Sequence, residues 1–272
     1  VRDCGFIQLY SENNQEAYDN TIMAVKITEK VKIPVMVCYD GFITSHSVEN
    51  IELLSNEDVK KFIGEYVPDE YLLDDNRNIS MGPLDMQKSY FKHRIELAEA
   101  MSESKDVIQD IANEFYNLTG RKYDLFEKYK LDDAEVGIVV LNSTAGTAKE
   151  VVDTLRQKGI KAGILKPRCF RPLPHSEIAE SLKNLKALAI LDKSDSVNGF
   201  SGPLYSEITS SLYSSNVNIP AVNYIYGLGG TDVTLENIEE VFNNLLDIKN
   251  GKKITKVKEY LGIKEGGVED GI

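Results

Sequence analysis

Between residues 136 and 246 short apolar runs alternate with amphipathic stretches, four of each, joined by short connections. No other feature of the chain restricts its fold as strongly. A helix that follows a strand carries the chain back across the sheet, so the next strand runs parallel to the first and the crossover is right-handed. The runs lie at 136–141, 160–165, 187–191 and 221–226, and the helices at about 145–158, 175–182, 204–212 and 235–246. Nearly unbroken apolar runs mark strands covered on both faces. An open, mostly parallel α/β domain is expected over 134–247.

The first forty residues repeat the signature. Residues 4–10 read as a strand that ends in the polar turn Ser11, Glu12, Asn13. Asn13 and Glu16 have the spacing of a capping box, in which the Asn side chain accepts from an N–H of the first turn and the Glu reaches back. A helix is expected over 14–30, with Tyr18, Ile22 and Val25 on its apolar face. The run IPVMVCY at 33–39 is a second covered strand, stopped at Asp40 and Gly41.

Between the two regular regions the pattern weakens. A short helix is expected at 56–65, and a loop holds Pro68, Asp74, Asp75 and Asn76. Residues 84–118 form one long charged helix that Thr119 and Gly120 stop, and 121–133 read as a linker. The organisation expected is therefore part of a first α/β domain at 1–82, a helical connector at 83–133, a second α/β domain at 134–247 and a Lys-rich tail at 248–272.

Charge narrows the function classes. The net charge of -12 and an isoelectric point near 4.9 oppose binding to nucleic acid or an anionic membrane, both of which need a positive field. No run approaches the roughly 18 apolar residues of a membrane helix, and the first residues lack the pattern of a signal peptide, so a cytoplasmic location is the expectation. Cys4, Cys38 and Cys169 are far apart, without a CxxC or a nearby His. Each sits in or beside an apolar run, which points to buried free thiols rather than a metal or iron–sulfur site.

Three strand-to-helix turns contain glycine: STAGTAKE after Leu141, NGFSGP after Ser196 and GLGGTD after Tyr226. None is a G-x-G-x-x-G and none carries the G-K-[ST] of a phosphate loop, so tight turning and close packing explain them. Glu16 and Asp19 could form a carboxylate pair, but capping and a solvated helix face account for both. Of the histidines, His93 falls on the charged helix and His175 at a helix start. His46 follows the end of a buried strand, where open α/β sheets place functional groups. Arg2 is the sharpest candidate: a guanidinium at the mouth of a parallel sheet can clamp a carboxylate through two parallel hydrogen bonds, while a surface ion pair with Asp3 is the plainer reading.

Read in order, the motifs resemble one family. RDCGFIQLYSENNQEAYDN, IPVMVCYDGFITSH, GRKYDLFEKYKLDDAEVGIVVLNSTAGTAKEVVDTLRQKGIKAGILKPRCFRPLP, LDKSDSVNGFSGPLYSEI and YGLGGTD are similar to the alpha chains of the 2-oxoacid:ferredoxin oxidoreductase family, above all to its pyruvate-using members. The resemblance implies a partial pyrimidine-type thiamine diphosphate domain followed by a transketolase C-terminal-like domain, and further chain before the Arg-Asp pair. It implies oxidative decarboxylation of pyruvate with coenzyme A, and electrons passed to ferredoxin. Thiamine diphosphate and Mg²⁺ are implied to be shared with a beta subunit, and [4Fe-4S] clusters to sit on partner subunits. Beta, gamma and delta chains are the implied partners, in a dimer of the hetero-assembly.

Carried over by residue, Arg2 matches the arginine that binds the substrate carboxylate. Asp40, Gly41, Phe42, Ser45 and His46 match the DGF…SH signature facing the cofactor cleft, and no residue here is implied to bind metal. Thr231 stands where an arginine is usual, and RPLP where RPFP is usual. Alternatives remain: a 2-oxoisovalerate or 2-oxoglutarate enzyme, a non-catalytic assembly module, or another thiamine enzyme of transketolase type.

Overall fold

The protein is described by a computed structural model over residues 2–82 and 84–263. Two sheets organise it. The smaller has strand order β2-β1-β6, formed by β1 (Ile7–Tyr10), β2 (Val35–Cys38) and β6 (Cys169–Arg171). The larger has order β3-β5-β4-β7-β8-β9, from β3 (Phe126–Tyr129), β4 (Val136–Val139), β5 (Ala162–Pro167), β7 (Ala187–Asp192), β8 (Ala221–Ile225) and β9 (Lys258–Tyr260). Each sheet is parallel except for one edge strand: β6 runs antiparallel to β1 and β3 antiparallel to β5. The expected parallel α/β class holds in both.

The helices follow from their caps. Helix α1 (Asn14–Val31) starts at Asn13, whose side chain accepts from the Glu16 N–H at 2.9 Å, and ends at Lys32 in a left-handed conformation. The expected capping box is only half made, because Glu16 Oε2 accepts from the N–H of Glu12 at 2.7 Å rather than from that of Asn13. The reason is that the other Glu16 oxygen is held by a lysine from the larger sheet. A single turn, α2 (Ile43–His46), follows β2, and α3 (Asn56–Ile63) is capped by Ser55. The long helix α4 (Tyr90–Thr119) begins later than expected and stops at Gly120, whose φ of 72° suits a residue without a Cβ.

The larger sheet is covered on both faces. Helices α5 (Thr144–Gln157) and α8 (Leu235–Lys249) pack on one side, in a core that includes Ile138, Ile164, Val152 and Phe242. On the other, α6 (His175–Leu182) and α7 (Pro203–Ser214) bury Leu165, Ile190, Ile178 and Ile208. A third core, with Ile7, Leu9, Met23, Ile111 and Phe115, joins the small sheet to α1, α3 and α4.

Some segments differ from expectation. The stretch read as a linker contains β3, and β6 was not foreseen at all. The expected tail contributes β9, paired in parallel with β8; its residues 264–272 lie outside the described residues. Cys169 is buried, but Cys38 is half-buried and Cys4 exposed, so the reading of three buried thiols holds for only one.

Candidate functional site

The carboxyl ends of parallel strands are where an open sheet leaves room for a ligand, because the chain diverges there into loops on opposite faces. The two sheets bring such ends together. Between them lies a cleft of about 480 Å³ whose walls include Arg2, Tyr10, Asp40, Asn142, Asp192 and Lys193. Tyr10 ends β1, Asp40 follows β2, Asn142 follows β4 and Asp192 ends β7.

Two residues fasten the small sheet to the large one at this point. Asn142, in the left-handed conformation that Asn tolerates better than most residues, donates from Nδ2 to the carbonyls of Ser11 (3.0 Å) and Cys38 (3.2 Å). Asp40 is buried. Its Oδ2 accepts from the backbone N–H of Ser143 (2.8 Å) and from the Ser143 hydroxyl (2.5 Å), and its Oδ1 from Lys193 Nζ (3.0 Å). A carboxylate at the start of α5 is favoured by the unpaired N–H groups and the positive end of the helix dipole.

Asp192 does the same for α7. It accepts from the N–H of Leu204 (2.7 Å) and Tyr205 (3.1 Å) and from Asn223 Nδ2 (2.9 Å). Burial nevertheless dominates and pushes its pKa up to about 6, against the opposing effect of these donors and of Arg2. The Gly-rich NGFSGP turn is explained by this carboxylate: a Cβ on Gly202 would lie 2.3 Å from the Asp192 Cγ and Oδ2.

Arg2 reaches the cleft wall while bound to Asp3, with Nε 3.0 Å and 3.2 Å from the two carboxylate oxygens. Asp3 is shared with Arg171 at 3.1 Å, which also holds Glu207 at 2.7 Å. Burial would raise the Asp3 pKa, but the two guanidinium groups outweigh it and keep the carboxyl below the usual range. The other DGF…SH residues lie apart from the cleft. Gly41, Phe42, Ser45 and His46 form an exposed turn, in which Ser45 Oγ is 2.7 Å from His46 Nδ1 and the Phe42 ring stacks on the imidazole at 5.1 Å. Of the strand-end signature, only Asp40 lines the cleft.

A second constellation was not foreseen. Lys166 on β5 is almost wholly buried and makes ion pairs to Glu12 (2.6 Å), Glu16 (2.7 Å) and Glu127 (2.9 Å). Lys149 on α5 adds contacts to Glu12 (2.8 Å) and Glu127 (2.9 Å). Burial alone would depress the lysine, yet the three carboxylates outweigh it and raise the Lys166 pKa. These carboxylates are close enough to share a metal ion, but the ammonium already occupies their centre. A larger cleft of about 650 Å³ runs over Lys166 and Arg168 at the end of β5 and shares no lining residue with the first. Asp192 and Lys193 carried a usable signal, a charged pair closing an apolar run just as Asp40 closes β2.

Residues 1–113 match the family described as pyruvate flavodoxin/ferredoxin oxidoreductase, thiamine diphosphate-binding, and residues 134–238 match pyruvate:ferredoxin oxidoreductase core domain II. Pyruvate synthase subunit PorA of Thermotoga maritima is 44% identical over 266 residues, covering 97% of this chain and 67% of that protein. The chain belongs to the pyruvate:ferredoxin oxidoreductase family.

Other members of this family are similarly close. PorA of Methanocaldococcus jannaschii is 39% identical over 268 residues, and ketoisovalerate oxidoreductase subunit VorA of Pyrococcus abyssi 36% over 264, each with 97% of this chain and 67% of the relative covered. Among solved structures, 2-oxoglutarate:ferredoxin oxidoreductase from Magnetococcus marinus superimposes with a TM-score of 0.59 at 17% identity, covering 90% of this chain and 42% of that one, a likeness of fold. The chain is thus a subunit of an oxidoreductase. Among the described residues no helix is long and apolar enough to cross a membrane.

Proposed function

We propose that the chain is the alpha subunit of a cytoplasmic pyruvate:ferredoxin oxidoreductase, which converts pyruvate and coenzyme A to acetyl-CoA and CO₂ and passes the electrons to ferredoxin. The observation that carries this is the likeness to PorA along almost the whole chain. Beta, gamma and delta subunits complete the enzyme, with the iron–sulfur clusters on partner chains.

Thiamine diphosphate, when bound, supplies the carbanion chemistry that the protein orients. The described residues do not fit its metal and diphosphate. The one carboxylate cluster that could hold Mg²⁺ is filled by Lys166, and the cleft cations Arg2 and Lys193 each face a carboxylate. Those groups are assigned to the beta subunit.

Arg2 is the proposed anchor for the pyruvate carboxylate. Its present partner supports the role, because Asp3 is also held by Arg171 and keeps a cation when Arg2 turns toward substrate. Asp40 has a supporting part, fixing Lys193 and the start of α5 along the cleft wall. In the assembled enzyme, Arg2→Ala is expected to raise KM for pyruvate by a factor on the order of 10 to 100, the loss of a bidentate charge-assisted pair. An unchanged kcat/KM would remove Arg2 from the site. The VorA likeness favours 2-oxoisovalerate as a second substrate reading, and a comparison of kcat/KM for the two acids decides it.

A further inference from the structure

A chain of this size normally buries its large apolar side chains, and a contiguous exposed set marks a surface that another molecule covers. Residues 64–91 break the rule. Tyr66, Val67, Leu72, Leu73, Leu84 and Phe91 are each 58–86% exposed, and Tyr71, Met81, Met86 and Tyr90 are exposed beside them. None of these ten belongs to any of the three cores or packs against one. Yet polar contacts tie the segment to its neighbours: Lys32 at the end of α1 pairs with Asp69 and Asp85 accepts from His93 of α4 at 2.6 Å, while Arg77 lies 3.5 Å from Glu70 within the segment. Its charged groups are exposed as well, Asp69 at 71% and Glu70 at 53%, so the surface it presents is apolar and acidic together.

We propose that residues 64–91 are a docking arm for a companion subunit of the same enzyme, one that offers an apolar surface rimmed by lysine and arginine. The inference rests on the subunit reading above. Composition fits an interface core, which favours Tyr, Phe and Met. Charge selects the partner. The arm holds Glu65, Asp69, Glu70, Asp74, Asp75 and Asp85 against only Arg77 and Lys88, and the whole chain carries -12. A second copy brings the same acidic surface and is repelled, whereas a basic rim is attracted and kept in register.

The test uses the complete enzyme, purified through a tag on this chain, with two double variants: Leu72→Glu with Leu73→Glu, and Tyr90→Ser with Phe91→Ser. Each is expected to retain at least about tenfold less companion subunit per chain than wild type, an interfacial loss of about 1.4 kcal/mol or more. The melting temperature of this chain stays unchanged, because the altered side chains support no core. A photo-crosslinking residue in place of Leu73 should label a companion peptide rich in Lys or Arg. Wild-type retention by both variants, or cross-links confined to a second copy of this chain, would overturn the arm alone. Failure of the wild-type chain to hold any companion overturns the subunit reading itself.

Discussion

Asp40 and Ser143 are joined twice, through the Ser143 backbone N–H at 2.8 Å and its hydroxyl at 2.5 Å, so a carboxylate from the small sheet caps a helix of the large one. The same carboxylate neutralises Lys193 at 3.0 Å. With Asn142, which bonds the Ser11 and Cys38 carbonyls, this buried group sets how the two sheets meet along the cleft.

Replacing Asp40 by Ala should therefore destabilise the chain by about 2–4 kcal/mol, since it uncaps α5 and leaves Lys193 without its partner. Asp40→Asn keeps an acceptor for Ser143 and should lose less. Denaturant unfolding of the three proteins measures both. Equal midpoints for wild type and Asp40→Ala would show that the sheets are held together by other contacts.

Lys166→Met removes the buried cation at the centre of Glu12, Glu16 and Glu127 and leaves only Lys149, at Glu12 and Glu127, with an expected loss of about 3–5 kcal/mol. The pH dependence should change sign. In the wild type, burial would raise the Glu127 pKa but Lys166 and Lys149 hold it lowered, so its contribution is present at neutral pH and is lost as pH falls through the acid range. In the variant the crowded carboxylates favour protonation, so acidification from neutral pH should raise the melting temperature. Millimolar Ca²⁺ or Mn²⁺ should do likewise, by taking the position of the ammonium. A variant indifferent to both treatments would mean that the three carboxylates separate once the lysine is gone.

Asp192 predicts a pH effect of the opposite kind from a salt-bridged acid. Its pKa is raised from 3.8 to about 6 by burial, so the folded state binds its proton more readily than the unfolded chain. This group's cost to stability is absent below about pH 4, grows as pH rises toward 6 and is complete above it. Asp192→Asn should flatten that part of the curve of melting temperature against pH. It should also lower the plateau, because an amide nitrogen cannot accept from Tyr205 N–H or from Asn223 Nδ2. If wild type and variant give parallel curves from pH 4 to 7, the group that titrates in this window is another.

What could be read from the sequence follows the same physics. Strands β4, β5, β7 and β8 are legible because both faces are covered and each carries a mostly apolar run, broken only by Lys166, Asp192 and Asn223. Strand β3 is not, since Phe126–Tyr129 alternates Glu127, which faces the Lys166 network, with Lys128, which pairs with Asp132 at the surface. Strands β6 and β9 have three residues each and are fixed by their partners rather than by any periodicity of their own. The same holds for charge. Asp40 announces itself by ending an apolar run, but Lys166 gains its meaning only from Glu12, Glu16 and Glu127, far off in sequence.

Gly202 offers the most direct check on the α7 cap. Its φ of -67° and ψ of 162° suit alanine, so Gly202→Ala carries no backbone penalty and any loss must come from the Cβ meeting Asp192 at 2.3 Å. Moving that carboxylate also breaks its bonds to Leu204, Tyr205 and Asn223, and a loss of about 2–4 kcal/mol is expected. Gly41→Ala is the control, because an added Cβ there meets nothing within 4 Å and should leave stability within about 0.5 kcal/mol of wild type. Asp192→Ala should cost about 1–2 kcal/mol as a lost helix cap, and combining it with Gly202→Ala should cost far less than the sum, because the clash then has no partner. A double-mutant cycle measures the coupling directly, and strict additivity of the two changes would show that Gly202 does not make room for the Asp192 carboxylate.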